Sequence, residues 1–231
     1  MNRPTSLIIG TWNLEWAEPG SARRTRMHAR IRLLQPDVMV FTETVLDPTE
    51  RTQDFPADPN FGYAHDGNRR KVLCWVRDPS LVTSTDTGSG VTPSGRFVRV
   101  SYAGLTIDGW CIPWRDAHVR SGQRDRQPWE DHQAFLTSVR SHYDAVGWPD
   151  IIAGDFNQRL PRHRQPDNVF TLLNAMLDRY HVATMDVVGA IDHIAVRTGL
   201  LARLRDRLPK LSDDGHADTD HEGYIAEVTR V

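Results

Sequence analysis

The run Ile152-Ala153-Gly154-Asp155-Phe156-Asn157 ends an apolar segment on a carboxylate and a carboxamide two residues apart. On an extended chain Asp155 and Asn157 point to one side, while Phe156 points into the core. Such a pair at a strand end suits a hard cation such as Mg²⁺, or a nucleophilic water beside it. An ordinary strand-to-turn transition reads the same way, so the rest of the chain has to decide. Asn13 and Glu15 end the apolar run that begins at Ser6, Glu43 follows the run 38–41, and Asp192 stands near the start of the run 190–196. Asp220-His221 then precedes the last apolar segment. A glutamate closing a buried strand is costly unless it is solvated, paired or bound to a metal.

The elements that must hold these residues follow from periodicity. Buried strands are expected at Ser6–Asn13, 38–41, 152–155 and 190–196, and a last strand at 223–231. Helices are expected at 20–35, with Met27, Ile31 and Leu34 on one face, and at 129–143, with Phe135, Leu136 and Val139 inward. A third helix, 169–180, carries Leu172, Leu173, Met176 and Leu177 as its apolar face. Strand patterns at 71–77, 96–102 and 105–112 recur without helices between them, which predicts an antiparallel part of one sheet. The Thr/Ser/Gly/Pro stretch 84–95 reads as a flexible connection, and 45–70 as loop with at most a short strand near Tyr63. Residues 200–208 fit a strand or a short helix. No repeat or long linker divides the chain, so residues 1–231 are expected to form a single domain.

A chain of 231 residues, 39% hydrophobic and 25% charged, has the composition of a soluble globular protein with a sizeable core. No apolar run reaches membrane-spanning length, and Met1-Asn2-Arg3-Pro4 does not open a secretion signal. Cys74 and Cys111 each lie in an apolar run and read as reduced core residues, which points to the cytoplasm. A monomer is expected. The net charge of −2 gives no global basic footprint for nucleic acid. Of the 28 basic residues only Lys71 and Lys210 are lysines, and the arginines are spread as a coding bias would spread them. They crowd only the loops 115–126 and 159–164, where phosphate tracking and a solvated loop are both open readings.

In order and spacing, Thr11-Trp12-Asn13-Leu14-Glu15, Pro36-Asp37 running into Thr42-Glu43-Thr44, Gly154-Asp155-Phe156-Asn157, Ile191-Asp192-His193-Ile194 and Thr219-Asp220-His221 resemble the endonuclease/exonuclease/phosphatase family. The resemblance spans residues 11–221. It implies an α/β fold, a four-layered α/β/β/α sandwich with two packed mixed sheets, and a Mg²⁺ (or Mn²⁺) dependent phosphoesterase with its site at one edge. Carried over residue by residue, Glu43 becomes the principal metal ligand with Asn13 beside it, and Asp220 a second ligand or a partner of the site. Asp155 becomes the group that orients or deprotonates the attacking water, and Asn157 a donor to phosphate oxygens. His221 would lie against the scissile phosphate, oriented by Asp192 through its other ring nitrogen.

The chain also departs from the family pattern. Where many members carry a histidine after the central strand, it has Cys111-Ile112-Pro113-Trp114-Arg115. Trp114 is a candidate to stack on a base or sugar, or to cover the core edge, and Arg115 a candidate replacement phosphate donor. Arg159, in the loop after Asn157, is a further candidate substrate contact. Glu222-Gly223 replaces the usual apolar residue or Pro after the final histidine. His216, Asp218 and Asp220 form a polar loop that also has the composition of a separate metal cluster. The leading expectation is a nuclease with nucleic acid as substrate. Small phosphate esters or phospholipids are the alternative within the family, and a binding module without catalysis the alternative outside it. Retention of Glu43, Asp155, Asn157, Asp192 and His221 together speaks against the last.

Overall fold

The computed structural model describes residues 6–47, 49, 51–65 and 67–231; Met1-Asn2-Arg3-Pro4 lies outside them. From the N-terminal side, β1 (Ser6–Asn13), α1 (Ala22–Leu34) and β2 (Val38–Val45) form a strand–helix–strand unit. Next come β3 (Asp54–Pro56), β4 (Arg69–Val76), β5 (Val82–Asp86), β6 (Phe97–Tyr102) and β7 (Leu105–Cys111). β7 opens a second strand–helix–strand unit with α2 (Glu130–Val146) and β8 (Ile151–Asp155). α3 (Asp167–Leu177), β9 (Tyr180–Val182), β10 (Asp192–Arg197), β11 (Leu200–Leu208) and β12 (Gly223–Arg230) complete the order.

The strands form two six-stranded sheets, ordered β11-β12-β1-β2-β4-β3 and β5-β6-β7-β8-β10-β9. Each is mixed. The parallel contacts are β1/β2 and β7/β8, one in each sheet, because only there does a helix crossover return the chain in the same direction. The sheets pack face to face over Ile9, Val40, Val72, Val98, Ile107, Ile151 and Ile194. Trp12, Met27, Ile31, Met39 and Phe41 fill the space under α1. Trp110, Phe135, Leu136, Phe156, Leu173 and Met176 fill it under α2 and α3. Each such side chain contributes about 1.5–3 kcal/mol on leaving water. The layers are therefore helix, sheet, sheet, helices, as the family resemblance implies. No helix among the described residues is long and apolar enough to cross a membrane.

Several expected boundaries move, for identifiable reasons. β2 runs on to Val45, so Glu43 lies within the strand rather than beyond it. β5 occupies part of the expected flexible connection. Its residues are mostly exposed and polar, and its partner is the edge of β6, so no apolar alternation marks it. β4 does not join β6 and β7 but pairs with β2 in the other sheet. No strand forms near Tyr63, and the short strand is β3. The helix 169–180 stops at Leu177, and Tyr180 starts the edge strand β9, held by its hydroxyl donating to the Pro149 carbonyl (2.8 Å). Residues 200–208 are a strand.

Candidate active site

The parallel strands end together at one end of the sandwich, and loops leaving their carboxyl ends carry the polar residues, a common arrangement in α/β sheets. Asn13 is the last residue of β1 and Asp155 the last of β8. Asp192, the first residue of β10, is paired in register with Asp155. Along β1, Leu7 and Ile9 face the opposite sheet while Ile8 and Trp12 face α1, so Asn13 emerges on the inter-sheet side. In β2 strict alternation would send Glu43 to the helix side with Met39 and Phe41. A left-handed backbone at Glu43 (φ 47°) reverses the parity. Thr44 then accepts from Arg24 of α1 (3.0 Å), and Glu43 lies near enough to add to the charge felt by Asp155.

Gly154 is required by geometry. Its φ is 141°, and a Cβ there would sit 1.9 Å from the Trp110 carbonyl oxygen of the neighbouring strand. The final histidine is fixed by a turn anchored on β1. Thr219 Oγ1 donates to the Asn13 carbonyl (2.9 Å) and accepts from the His221 N–H (3.2 Å). Trp12 Nε1 donates to the His221 carbonyl (3.2 Å). Asp218, completely buried, ties the same loop to α1 through Arg26 (2.6 Å) and Arg30 (3.5 Å). That engagement gives Asp218 a structural role in place of the separate metal cluster that the loop's composition allowed.

These anchors bring five side chains into one largely buried group. His221 Nδ1–H donates to Asp192 Oδ2 (2.5 Å), and His221 Nε2 lies 3.5 Å from Asn13 Nδ2. Asn13 Nδ2 also faces Asp155 Oδ2 (3.4 Å). Asn157 donates from Nδ2 to Asp155 Oδ2 (2.9 Å) and to the Ile112 carbonyl (2.8 Å), and from its backbone N–H to Asp155 Oδ1 (2.9 Å). Burial, with the charge of Asp192 added, pushes the Asp155 carboxyl up to about 7 against the opposing pull of His221. For His221 burial acts downward, but the charge and hydrogen bond of Asp192, with Asp155 and Asp220, outweigh it and raise the imidazole to about 10.

A hard divalent cation fits this donor set. Carboxylate oxygens of Asp155 and Asp192 lie within 4.8 Å of one another, and Asp192 Oδ1 is buried with no hydrogen-bond partner among the described residues. His221, held protonated by Asp192, is a neighbour of the ion's place and not a ligand. Glu43 adds a third carboxylate, which Lys71 engages at 2.5 Å. Asp220 is largely exposed (69%), with Oδ1 3.6 Å from His221 Nε2. Asn13 turns its amide nitrogen toward the group, because its Oδ1 accepts from the Glu15 N–H (2.8 Å). Glu15 leaves the group altogether and pairs with Arg23 (3.1 Å). Trp114, Arg115 and Arg159 are exposed on the flanking loops, and among the described residues no hydrogen bond or ion pair joins their side chains to the group; Arg115 lies 3.6 Å from Asp116.

Sequence reasoning passed over Lys71, which becomes a neighbour of Glu43 only once β2 and β4 pair. It also missed a buried relay beneath the site. His132 donates to the Pro113 carbonyl (2.7 Å) and accepts from Gln158 Nε2 (2.7 Å). The Gln158 carbonyl in turn accepts from His193 (3.0 Å), whose Nδ1 accepts from Thr184 (2.8 Å). Gln158 directly follows Asn157, and that adjacency was the available signal.

Two mixed sheets with a carboxylate–histidine group at one end define a class of phosphoester hydrolases. The chain belongs to the endonuclease/exonuclease/phosphatase family, whose sequence model matches residues 10–221. No curated protein sequence matches it. Among solved structures, the human Nocturnin catalytic domain with bound sulfate superposes with a TM-score of 0.64 at 14% identity, covering 98% of this chain and 94% of that one. A Neisseria 3′ phosphatase, NExo, bound to product DNA hairpin, gives 0.63 at 14%, covering 95% and 98%. An endonuclease/exonuclease/phosphatase from Beutenbergia cavernae gives 0.63 at 18%, covering 98% and 72%.

Proposed function

We propose that this protein is a Mg²⁺-dependent phosphodiesterase that hydrolyses nucleic acid by in-line attack of water. The observation that carries the reading is the buried Asp192–His221 pair facing Asp155 across the Asn13 amide. Asp155, with its affinity for protons near neutrality, is suited to take the proton of the attacking water. His221, held cationic by Asp192, is suited to face the phosphoryl oxygens where negative charge develops. Asn157 holds Asp155 in place and yields its bond to Ile112 to donate to the phosphate. Glu43 and Asp220 would hold the ion, Mg²⁺ or alternatively Mn²⁺. Asn13, whose Oδ1 already accepts from the Glu15 N–H, presents its amide N–H group and serves as a donor in place of the ligand role the resemblance implied. When bound, the ion supplies charge to stabilise the phosphoryl oxygens.

Exposed arginines support nucleic acid as substrate. Arg120, Arg124, Arg159 and Arg164 have no ion-pair partner among the described residues, and their loops adjoin the β7 and β8 ends of the site. Trp114, half-exposed between them, is placed to stack on a base or sugar. The net charge of −2 favours a second reading within the family, a small phosphate ester, for which no extended basic surface is needed. A cytoplasmic monomer is part of the proposal, supported for compartment by the free thiols of Cys74 and Cys111.

The test is nicking of supercoiled plasmid with Mg²⁺, with and without chelator, by the parent, His221→Ala and Asp155→Ala. Chelator-sensitive nicking that falls by roughly a thousandfold or more in each folded variant is expected. Near-parental nicking in either variant would remove that residue from the mechanism. A folded parent that does not nick would move the substrate to small phosphate esters.

A further inference from the structure

Lys71 occupies a position that the family pattern does not account for. The β2/β4 ladder pairs Thr42 with Val72 and Thr44 with Arg70, which sets Glu43 and Lys71 directly opposite one another. The ammonium lies 2.5 Å from Glu43 Oε1, and the two side chains are only 11% and 24% exposed. Three aromatic rings surround the ammonium, with centroids at 5.0 Å (Trp16), 5.8 Å (Phe61) and 5.9 Å (Tyr63). Trp16 and Phe61 are themselves stacked, 5.8 Å apart. Such a cage suits a compact ammonium, whereas a planar guanidinium would seek two-point contact with the carboxylate. A chain that uses arginine almost everywhere places one of its two lysines here.

A cation so placed has a consequence for ion binding. Lys71 neutralises part of the charge that Glu43 would offer a divalent cation and repels that cation at short range. An arriving phosphate gives the ammonium a second anion and offsets the repulsion. We infer that Lys71 is a resident cation that competes with the divalent ion for Glu43, and that substrate phosphate relieves the competition. Ion and phosphate then bind with positive coupling, each strengthening the other. This rests on Glu43 being a metal ligand, as proposed above.

The experiment measures Mn²⁺ binding by electron paramagnetic resonance, without turnover, for the parent, Lys71→Met, Trp16→Leu and Glu43→Gln, each checked for folding. Inorganic phosphate serves as the probe anion. Lys71→Met keeps the cage filled and removes only the charge. It should bind Mn²⁺ roughly tenfold more tightly than the parent without phosphate. Phosphate should tighten Mn²⁺ binding in the parent and do so far less in this variant. Trp16→Leu, which loosens the cage, should move in the same direction by a smaller factor. Mn²⁺ affinity that is unchanged or weaker in Lys71→Met, with equal phosphate coupling, would overturn the inference. Undiminished Mn²⁺ binding by Glu43→Gln would instead overturn the metal-ligand reading beneath it.

Discussion

At Gly154 the absence of one methyl group decides where Asp155 can sit. β8 crosses so close to β7 that the Trp110 carbonyl fills the space a Cβ would need, and the backbone there has a φ of 141°. Gly154→Ala must both shift a backbone carbonyl and hold alanine in a strained conformation. The two costs sum to roughly 2–6 kcal/mol. Urea unfolding of the variant should show that loss, and residual folded enzyme should have reduced turnover because Asp155 is displaced. An alanine variant as stable as the parent would mean that β7 and β8 can part without penalty. Asp155, Asn157, Asp192 and His221 were legible in the sequence because each interrupts or borders an apolar run, where a polar side chain is costly without a purpose. Lys71 was not. It lies in a strand-like run of its own, and its importance depends on a register that no local pattern encodes.

Elements carry the site through polar links between layers. His132 of α2 reaches the β7 exit at Pro113 and the β8 exit at Gln158, using one ring nitrogen as donor and the other as acceptor. Accepting from Gln158 requires the neutral ring, while the bond to Pro113 would survive protonation. Burial lowers its proton affinity to about 4. In the unfolded chain the same imidazole titrates near 6.5, so as pH falls the unfolded state takes up the proton first. The contribution of His132 to stability is therefore intact above about pH 6.5, falls with pH, and is lost near pH 4, for a total of about 3 kcal/mol. Chemical unfolding at pH 7, 6 and 5 should show this decline. His132→Leu, less stable at pH 7 through lost hydrogen bonds, should decline less steeply; an equal slope would place the titration elsewhere. The main strands and helices were legible from periodicity, because each buries one apolar face. β5 and β9 were not, since edge strands with exposed polar residues obey no such alternation.

For the whole molecule, charge is a matter of placement rather than total. A net charge of −2 gives no long-range attraction for DNA, so under the nuclease proposal affinity would have to come from arginines next to the site. Several in the flanking loops are already engaged: Arg126 with Asp125, Glu130 and Asp131, and Arg162 with Asp167. Arg120, Arg124, Arg159 and Arg164 are exposed with no ion-pair partner among the described residues, in the loops that follow β7 and β8. If all four meet phosphates, the logarithm of DNA affinity should fall with the logarithm of salt concentration with a slope of about −3.6, each contact contributing about 0.9. Replacing all four by alanine should flatten that slope toward zero and lower kcat/KM on plasmid DNA steeply, while hydrolysis of a small aryl phosphodiester changes far less. Fluorescence anisotropy across a salt series, with chelator present to prevent turnover, measures the slope directly. A parent whose DNA binding is indifferent to salt would leave these arginines as solvated loop residues. The same buried carboxylate–histidine group would then act on small esters that enter without a phosphate track.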